Sequence, residues 1–214
     1  MSAAATDWAA WHEAYGDPDS SLSRRLRIVQ HEIRGALPAR PGKPFRVLSL
    51  CAGRGDDLIG TLNDYPHAGM VRARLIERDS RNVRATAKAA RDAGLELDIV
   101  QGDAGDPSLY AGAVPADLVL LCGVLGNVSD ADVRATVRAM PGLCQTGGTV
   151  IWTRTRRAPD LTPRVRRWFA EAGFAEVAFI APEDELFSVG ACRFAGEPQS
   201  RPLSSARRLF NFVS

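Results

Sequence analysis

Histidine, cysteine and methionine are scarce in this chain: three, four and three in 214 residues. Cys51, Cys122, Cys144 and Cys192 stand far apart and follow no metal-ligand spacing. That pattern gives no metal site and reads as reduced thiols of a cytoplasmic protein. No apolar run approaches the ~18 residues that crossing a membrane requires. The first residues, Met1 to Asp7, have neither a basic start nor an apolar core, so no secretory signal is expected. A large charge excess is also missing. Arginine and lysine total 27 against 25 acids, a net charge of +2, too small to argue for a nucleic-acid partner.

What remains is ordinary for a globular chain: 45% hydrophobic and 24% charged residues. The length suits one domain with a full core. Strand and helix patterns alternate from Phe45 onward. Short apolar runs at 47–50, 73–77, 97–101 and 117–122 read as buried parallel strands. Helices are expected at 56–63, at 80–92 with Ser80 as cap, at 130–140 behind a Ser129 cap, and from a Thr162 cap with Pro163 first. Residues 148–153 form a fifth strand. The runs 175–180 and 187–194 form two more, the last antiparallel because 181–186 is too short for a parallel crossover.

The most informative segment is Val47 to Leu58. Its strand runs into Gly53-Arg54-Gly55 and then a helix start. Glycine lets the backbone approach a ligand and tolerates positive φ, and the helix start offers free N–H groups. Dinucleotide sites place a third glycine or alanine three residues on. Here that position is Leu58, and Asp56 and Asp57 would repel a pyrophosphate. A ligand with a cationic centre and no phosphate suits them better, as S-adenosylmethionine does. Glu77 follows the second strand, 22 residues after Gly55, where a carboxylate accepts ribose hydroxyls. Asp103 follows the third strand, placed to accept the exocyclic amine of an adenine.

In Leu-Ser-Leu-Cys-Ala-Gly-Arg-Gly-Asp (48–56), Leu-Ile-Glu-Arg-Asp (75–79), Gly-Asp-Ala (102–104) and Asp-Leu-Val-Leu-Leu-Cys-Gly (117–123), the chain resembles the class I, Rossmann-like S-adenosylmethionine-dependent methyltransferases. The resemblance spans roughly Phe45 to Phe194. It implies a three-layer α/β fold with a seven-stranded, mostly parallel sheet, its last strand antiparallel, and helices on both faces. It implies that Ala52, Gly53 and Gly55 pass under the cofactor, that Glu77 holds the ribose and Asp103 the adenine, and that Cys122 and Gly123 border the methionine part. Ser49, Cys51, Asp56, Arg78 and Ala104 complete the expected cofactor site. Ala52 departs from the pattern, where many members carry glycine. Arg78 departs too, since an apolar residue often follows the ribose acid; an arginine plane can stack on adenine instead.

Residues 1–44 are expected to form a two-helix lid and a proline-rich connector, 45–194 the cofactor core and 195–214 a tail. Trp8, Trp11, His12 and Tyr15 share one face of the first helix, and Leu22, Leu26, Val29 and Ile33 one stripe of the second. Candidate acceptor contacts are Trp11, His12, Tyr15, Asn127 and Arg154; the last lies at a strand's carboxyl end. Arg24 or Arg25 is a candidate partner for the methionine carboxylate. The cluster Arg154, Arg156, Arg157, Arg164, Arg166 and Arg167, with Arg201, Arg207 and Arg208, could form a basic patch. It lacks the aromatic platforms of an RNA reader, so an RNA substrate ranks behind a small molecule. Phe210 and Phe212 equip the tail to dock on its own sheet or on a partner. The expected function is methyl transfer to a small-molecule acceptor, with no membrane partner. The alternatives are a non-catalytic cofactor binder and an enzyme using the cofactor for a non-methyl reaction such as cyclisation. No residue stands out as a general base, and nothing in the sequence sets the oligomeric state.

Overall fold

The computed structural model describes residues 17–198 and 208–213. The candidate residues Trp11, His12 and Tyr15, with the whole first helix, lie outside them. Twelve longer elements follow in order: α1 (Ser21–Ala36), β1 (Phe45–Leu50), α2 (Asp56–Leu62), β2 (Val71–Glu77), α3 (Ser80–Asp92), β3 (Asp98–Gln101), β4 (Ala116–Leu121), α4 (Asp130–Ala139), β5 (Cys144–Thr155), α5 (Thr162–Glu171), β6 (Phe174–Ile180) and β7 (Phe187–Phe194). They build a seven-stranded sheet of order β3-β2-β1-β4-β5-β7-β6. The pairs through β5 are parallel, and β7 runs antiparallel to both β5 and β6. The expected fold class is therefore present.

Alternation along the central strands feeds two cores. Leu48, Leu50, Val119, Leu121, Val150 and Trp152 face one side and pack with α4 and α5 through Val133, Val137, Val165 and Phe169. Val47, Leu118, Leu120 and Ile151 face the other and pack with α1 and α2 through Val29, Ile33, Leu58 and Leu62. This corrects the lid reading for the second N-terminal helix. Val29 and Ile33 are buried in a core of the sheet, which makes α1 a fixed layer of the domain rather than a movable lid, although Arg25, Leu26 and Val29 also line the cavity.

Several boundaries move for local reasons. Asp79, not Ser80, caps α3: its side chain accepts the Arg81 N–H and its backbone is extended, as a cap requires. Residue Leu161 precedes α5, and Asp160 Oδ1 accepts the Thr162 N–H at 2.8 Å, so Thr162 is already helical. Strand β5 begins at Cys144 because Cys144 pairs with Ala116 before a register shift resumes the ladder at Leu118–Thr149. Gly147, at φ 79°, turns within that shift.

The strand order reverses direction between β1 and β4. Ligand crevices of open α/β sheets form at the carboxyl ends of strands flanking such a point. Backbone bonds carry the ladder past the strands there: the Ala52 N–H reaches Ile76 O at 3.0 Å, and the Gly102 N–H reaches Glu77 O at 2.9 Å. The tips of β1, β2 and β3 are thereby locked side by side.

Candidate cofactor site

A cavity of about 680 Å³ opens over these tips. The β1 tip contributes Ser49, Cys51, Ala52, Gly53 and Asp56, the β2 tip Glu77 and Arg78, the β3 tip Asp103 and Ala104, and the β4 tip Cys122 and Gly123. One expected cofactor residue is absent from the wall. Gly55 is buried, with φ 69°, and a Cβ there would lie 3.1 Å from Thr86 Cγ2 and 3.2 Å from Leu75 Cδ2. Its role is close packing of α2 against β2 and α3, not contact with the cavity.

The departure expected at Ala52 falls one residue earlier. Cys51, with φ 57°, is the non-glycine residue in the left-handed region among those described. A side chain there costs about 1–2 kcal/mol of backbone energy. Burial, and then the neighbouring carboxylates Glu77 and Asp103, push its thiol far above the ordinary cysteine value. The thiol is therefore a neutral wall element between the two acids.

Glu77 is buried and bonded at both oxygens. Oε2 accepts the Gly53 N–H and Oε1 the Asp79 N–H, each at 2.7 Å. A carboxylate has about four acceptor directions, so each oxygen retains one for a ligand hydroxyl. The same side chain that faces the cavity thus shapes the glycine turn. Asp103 is gripped in a similar way, by the Gly105 N–H at 2.9 Å and by Arg208 Nη2 at 2.6 Å. Burial opposes its ionised form, but the Gly105 N–H and the Arg208 guanidinium outweigh it and hold the carboxyl below its ordinary value.

The amino end of α2 carries the remaining acids. Asp56 Oδ2 is buried without a hydrogen-bond partner, although Asp56 lines the cavity. Asp57 lies deeper. Burial lifts its carboxyl to about 6; the Leu58 N–H opposes that rise, Asp56 reinforces it and Arg25 opposes it. Asp57 and Arg25 also set the surroundings of the Cys122 thiol, which burial raises well above its ordinary value.

Sequence reasoning paired Arg24 with Arg25; the structure separates them. Arg24 forms an ion pair with Glu185, which also accepts Ser21 Oγ at 2.5 Å. Arg25 lines the cavity. Asn127 lines it too, held by a 2.6 Å bond from Nδ2 to Gly123 O. Arg154 does not belong to the cavity wall. Its guanidinium donates to Leu125 O and lies 3.6 Å from Asp130, because the β4–α4 turn passes over the end of β5. In the basic run around it Arg157, Arg164, Arg166 and Arg167 are exposed, and Arg201 and Arg207 lie outside the described residues. Arg156 bonds to Pro182 O and Glu185 O, Arg166 to Glu176, and Arg164 lies over the Trp168 ring.

Four further contributions had weak or no sequence signals. Asn82, in the first turn of α3, lines the cavity with a buried Nδ2 that has no partner. Its spacing after Glu77 was the available hint. The α1 side chains Leu26 and Val29 belong to the apolar stripe of that helix, yet they also close one side of the cavity. Asp57 has only its charge as a signal in the sequence. Arg208, Asn211, Phe212 and Val213 reach the cavity from the tail, across more than a hundred residues, which no local pattern reveals.

No protein-family model matches the chain, and no curated protein matches it. Solved structures do. An O-methyltransferase family protein from Burkholderia thailandensis superposes with TM-score 0.60 at 16% identity, over 82% of this chain and 58% of that one. The chain thus spans well under two thirds of that protein. Magnesium protoporphyrin IX methyltransferase from Synechocystis PCC 6803, with bound S-adenosylmethionine, superposes with TM-score 0.66 at 12% identity, over 91% of this chain and all of that one. The chain has the class I methyltransferase fold. The same fold also serves the [4+2]-cyclase SpnF, with TM-score 0.62, 14% identity and coverages of 84% and 85%.

Proposed function

We propose that this chain binds S-adenosylmethionine in the β-tip cavity and passes its methyl group to a small-molecule acceptor. One observation carries the reading: Glu77 and Asp103, at adjacent strand tips, face the same cavity as the bare Gly53 turn. The donor set fits an adenosine with a charged amino-acid arm. Glu77 suits the ribose hydroxyls, and Asp103 with the Arg78 plane suits the adenine. Asp57 and Asp56, whose Oδ2 lies 3.7 Å from Arg54 Nε without a hydrogen bond, suit an ammonium, and Arg25 a carboxylate. The cavity is also within the roughly 300–1,000 Å³ usual for small-ligand sites.

The cofactor supplies an activated methyl group. The chain's part is to hold that group and the acceptor in line and close, which accounts for much of the rate in such transfers. Cys122, Gly123 and Asn127 border the expected transfer point. Gly123, at φ 83°, has nothing within 4 Å of where a Cβ would stand, so the wall is open there. Thr153 Oγ1 fixes that loop by accepting the Gly123 N–H at 2.9 Å. Leu26, Val29, Phe212 and Val213 add apolar wall, which supports an acceptor with an apolar part. An amine or thiolate acceptor needs no general base; a hydroxyl acceptor would. The free cysteines support a reducing, cytoplasmic setting, and no helix among the described residues is long and apolar enough to cross a membrane.

Calorimetry with S-adenosylhomocysteine tests the cofactor, and mass analysis of products from an acceptor panel tests the reaction. Absence of binding by folded protein removes the reading. The cyclase neighbour favours one alternative, a non-methyl reaction beside the bound cofactor. Product formed without consumption of the methyl group would select it, and binding without any product would select a non-catalytic role.

A further inference from the structure

Residues 208–213 of the tail cross the mouth of the cavity from the β3 tip to the β4 tip. The segment is anchored at both ends. The Leu209 N–H donates to Gly105 O at 2.8 Å, and the Val213 N–H to Asn127 O at 2.9 Å. Between them, Phe210 is 1% exposed and belongs to the same buried core as Tyr110 and Val124. Phe212 makes a β-bridge with Val128. Fit is tight at Gly105, where a Cβ would collide with the Phe210 carbonyl and stand 2.9 Å from Arg208 Nη2. The inward-facing groups are Arg208, Asn211, Phe212 and Val213.

Arg208 joins the strap to the site chemically. Its Nε donates to Asn211 Oδ1 at 2.7 Å, which orients the guanidinium from within the strap, and Nη2 donates to Asp103 Oδ2 at 2.6 Å. With Gly105 on Oδ1, the carboxylate is held at both oxygens in one rotamer. Each oxygen keeps an acceptor direction, so the grip orients Asp103 without saturating it.

We propose that Arg208–Val213 is a structural part of the cofactor site, and that Arg208 is a positioning residue that aims Asp103 at the exocyclic amine of adenine. This rests on the cofactor reading above. The strap then sets two properties of the site: preference for adenine over a base lacking that amine, and the rate at which the nucleoside leaves.

The test compares S-adenosylhomocysteine with its deaminated analogue, S-inosylhomocysteine, by calorimetry, and follows dissociation by stopped flow. Removing the whole strap uncovers the seat of Phe210 and can cost the fold, so point variants carry the test. Arg208→Ala is expected to weaken S-adenosylhomocysteine binding by about fivefold, less than a lost charged bond to the ligand because Arg208 acts through Asp103, and to cut the preference over the inosine analogue by a similar factor. Arg208→Lys recovers part of both, with the unfolding midpoint unchanged. Gly105→Ala, which displaces the strap without altering it, speeds dissociation several-fold. A lost affinity with an unchanged adenine preference overturns the positioning role, as does tighter binding in Arg208→Ala, which would mark Arg208 as a competitor for Asp103. Variants indistinguishable from a wild type that binds overturn the strap and leave the cofactor reading standing. A folded wild type that binds neither nucleoside removes both.

Discussion

The two halves of the sheet are built for different tasks. From β3 to β4 the strands end in charge and bent backbone: Glu77, Asp103, Asp56 and Asp57, with positive φ at Cys51, Gly53, Gly55 and Gly123. From β5 to β6 the sheet carries stacked rings. Trp152 is fully buried, lies 5.9 Å from Phe169 and from Phe179, and backs onto Gly190. Phe169, Phe174 and Phe194 continue the cluster at 5.5 and 4.9 Å. The first half accepts the desolvated Asp57 carboxylate and a left-handed cysteine, each of which works against folding. The second half buries large apolar surface with few charges, which offsets those costs. A site can be locally unfavourable when a rigid neighbour determines it.

If that division holds, substitutions on the two sides move different readouts. Trp152→Ala, on the packing side, is expected to have the largest effect. It should cost about 3–5 kcal/mol of unfolding free energy, read by urea denaturation, while the folded fraction keeps its nucleoside affinity. Glu77→Ala, on the site side, is expected to weaken S-adenosylhomocysteine about ten- to a hundredfold by calorimetry, since one or two charged hydrogen bonds go and the Gly53 turn loses its anchor. Asp103→Ala should cost less. Wild-type affinity in Glu77→Ala would break the comparison outright.

Asp57 sharpens it through pH. Its folded carboxyl titrates near 6, above the usual 3.8. Between those values the native state holds a proton that the unfolded chain has lost. The cost of ionising this group is absent below about 4, grows as pH rises, and is fully present above about 6. A bound ammonium favours the ionised form. Affinity for S-adenosylhomocysteine should therefore fall as pH drops below 6, and Asp57→Asn should flatten that dependence. Identical profiles in the two proteins would separate Asp57 from the ligand. The smallest effect is expected for Cys51→Gly. Relief of the left-handed backbone is worth about 1 kcal/mol and is opposed by lost side-chain packing, so stability should change by less than about 1 kcal/mol. A loss of several would mean that the cysteine is required for packing, not merely tolerated.

The placing of the acids and the glycine bend at the strand tips was legible in the linear chain, because each tip lies a few residues from the strand that places it. A buried run, a glycine bend and an acid at the next tip are local patterns, and the parallel ladder brings them together in a predictable order. Gly55 was misplaced because a packing glycine and a contact glycine look alike until the neighbouring helix is seen. Arg154 was misplaced because the end of a strand fixes a backbone position, not the direction of a long side chain. The pairing of Arg24 with Glu185 spans 161 residues, and no short-range pattern predicts it.

What the sequence determined by itself was the alternation of elements, the acids at the strand ends and the chemistry those acids prefer, since all of these follow from contacts within a few residues. Tertiary structure alone decided which arginines face the cavity, which glycine packs, and that the tail roofs the site through Arg208 and Asp103. Those outcomes depend on how distant segments share the same space, and burial and charge pairing across a hundred residues are properties of the folded chain.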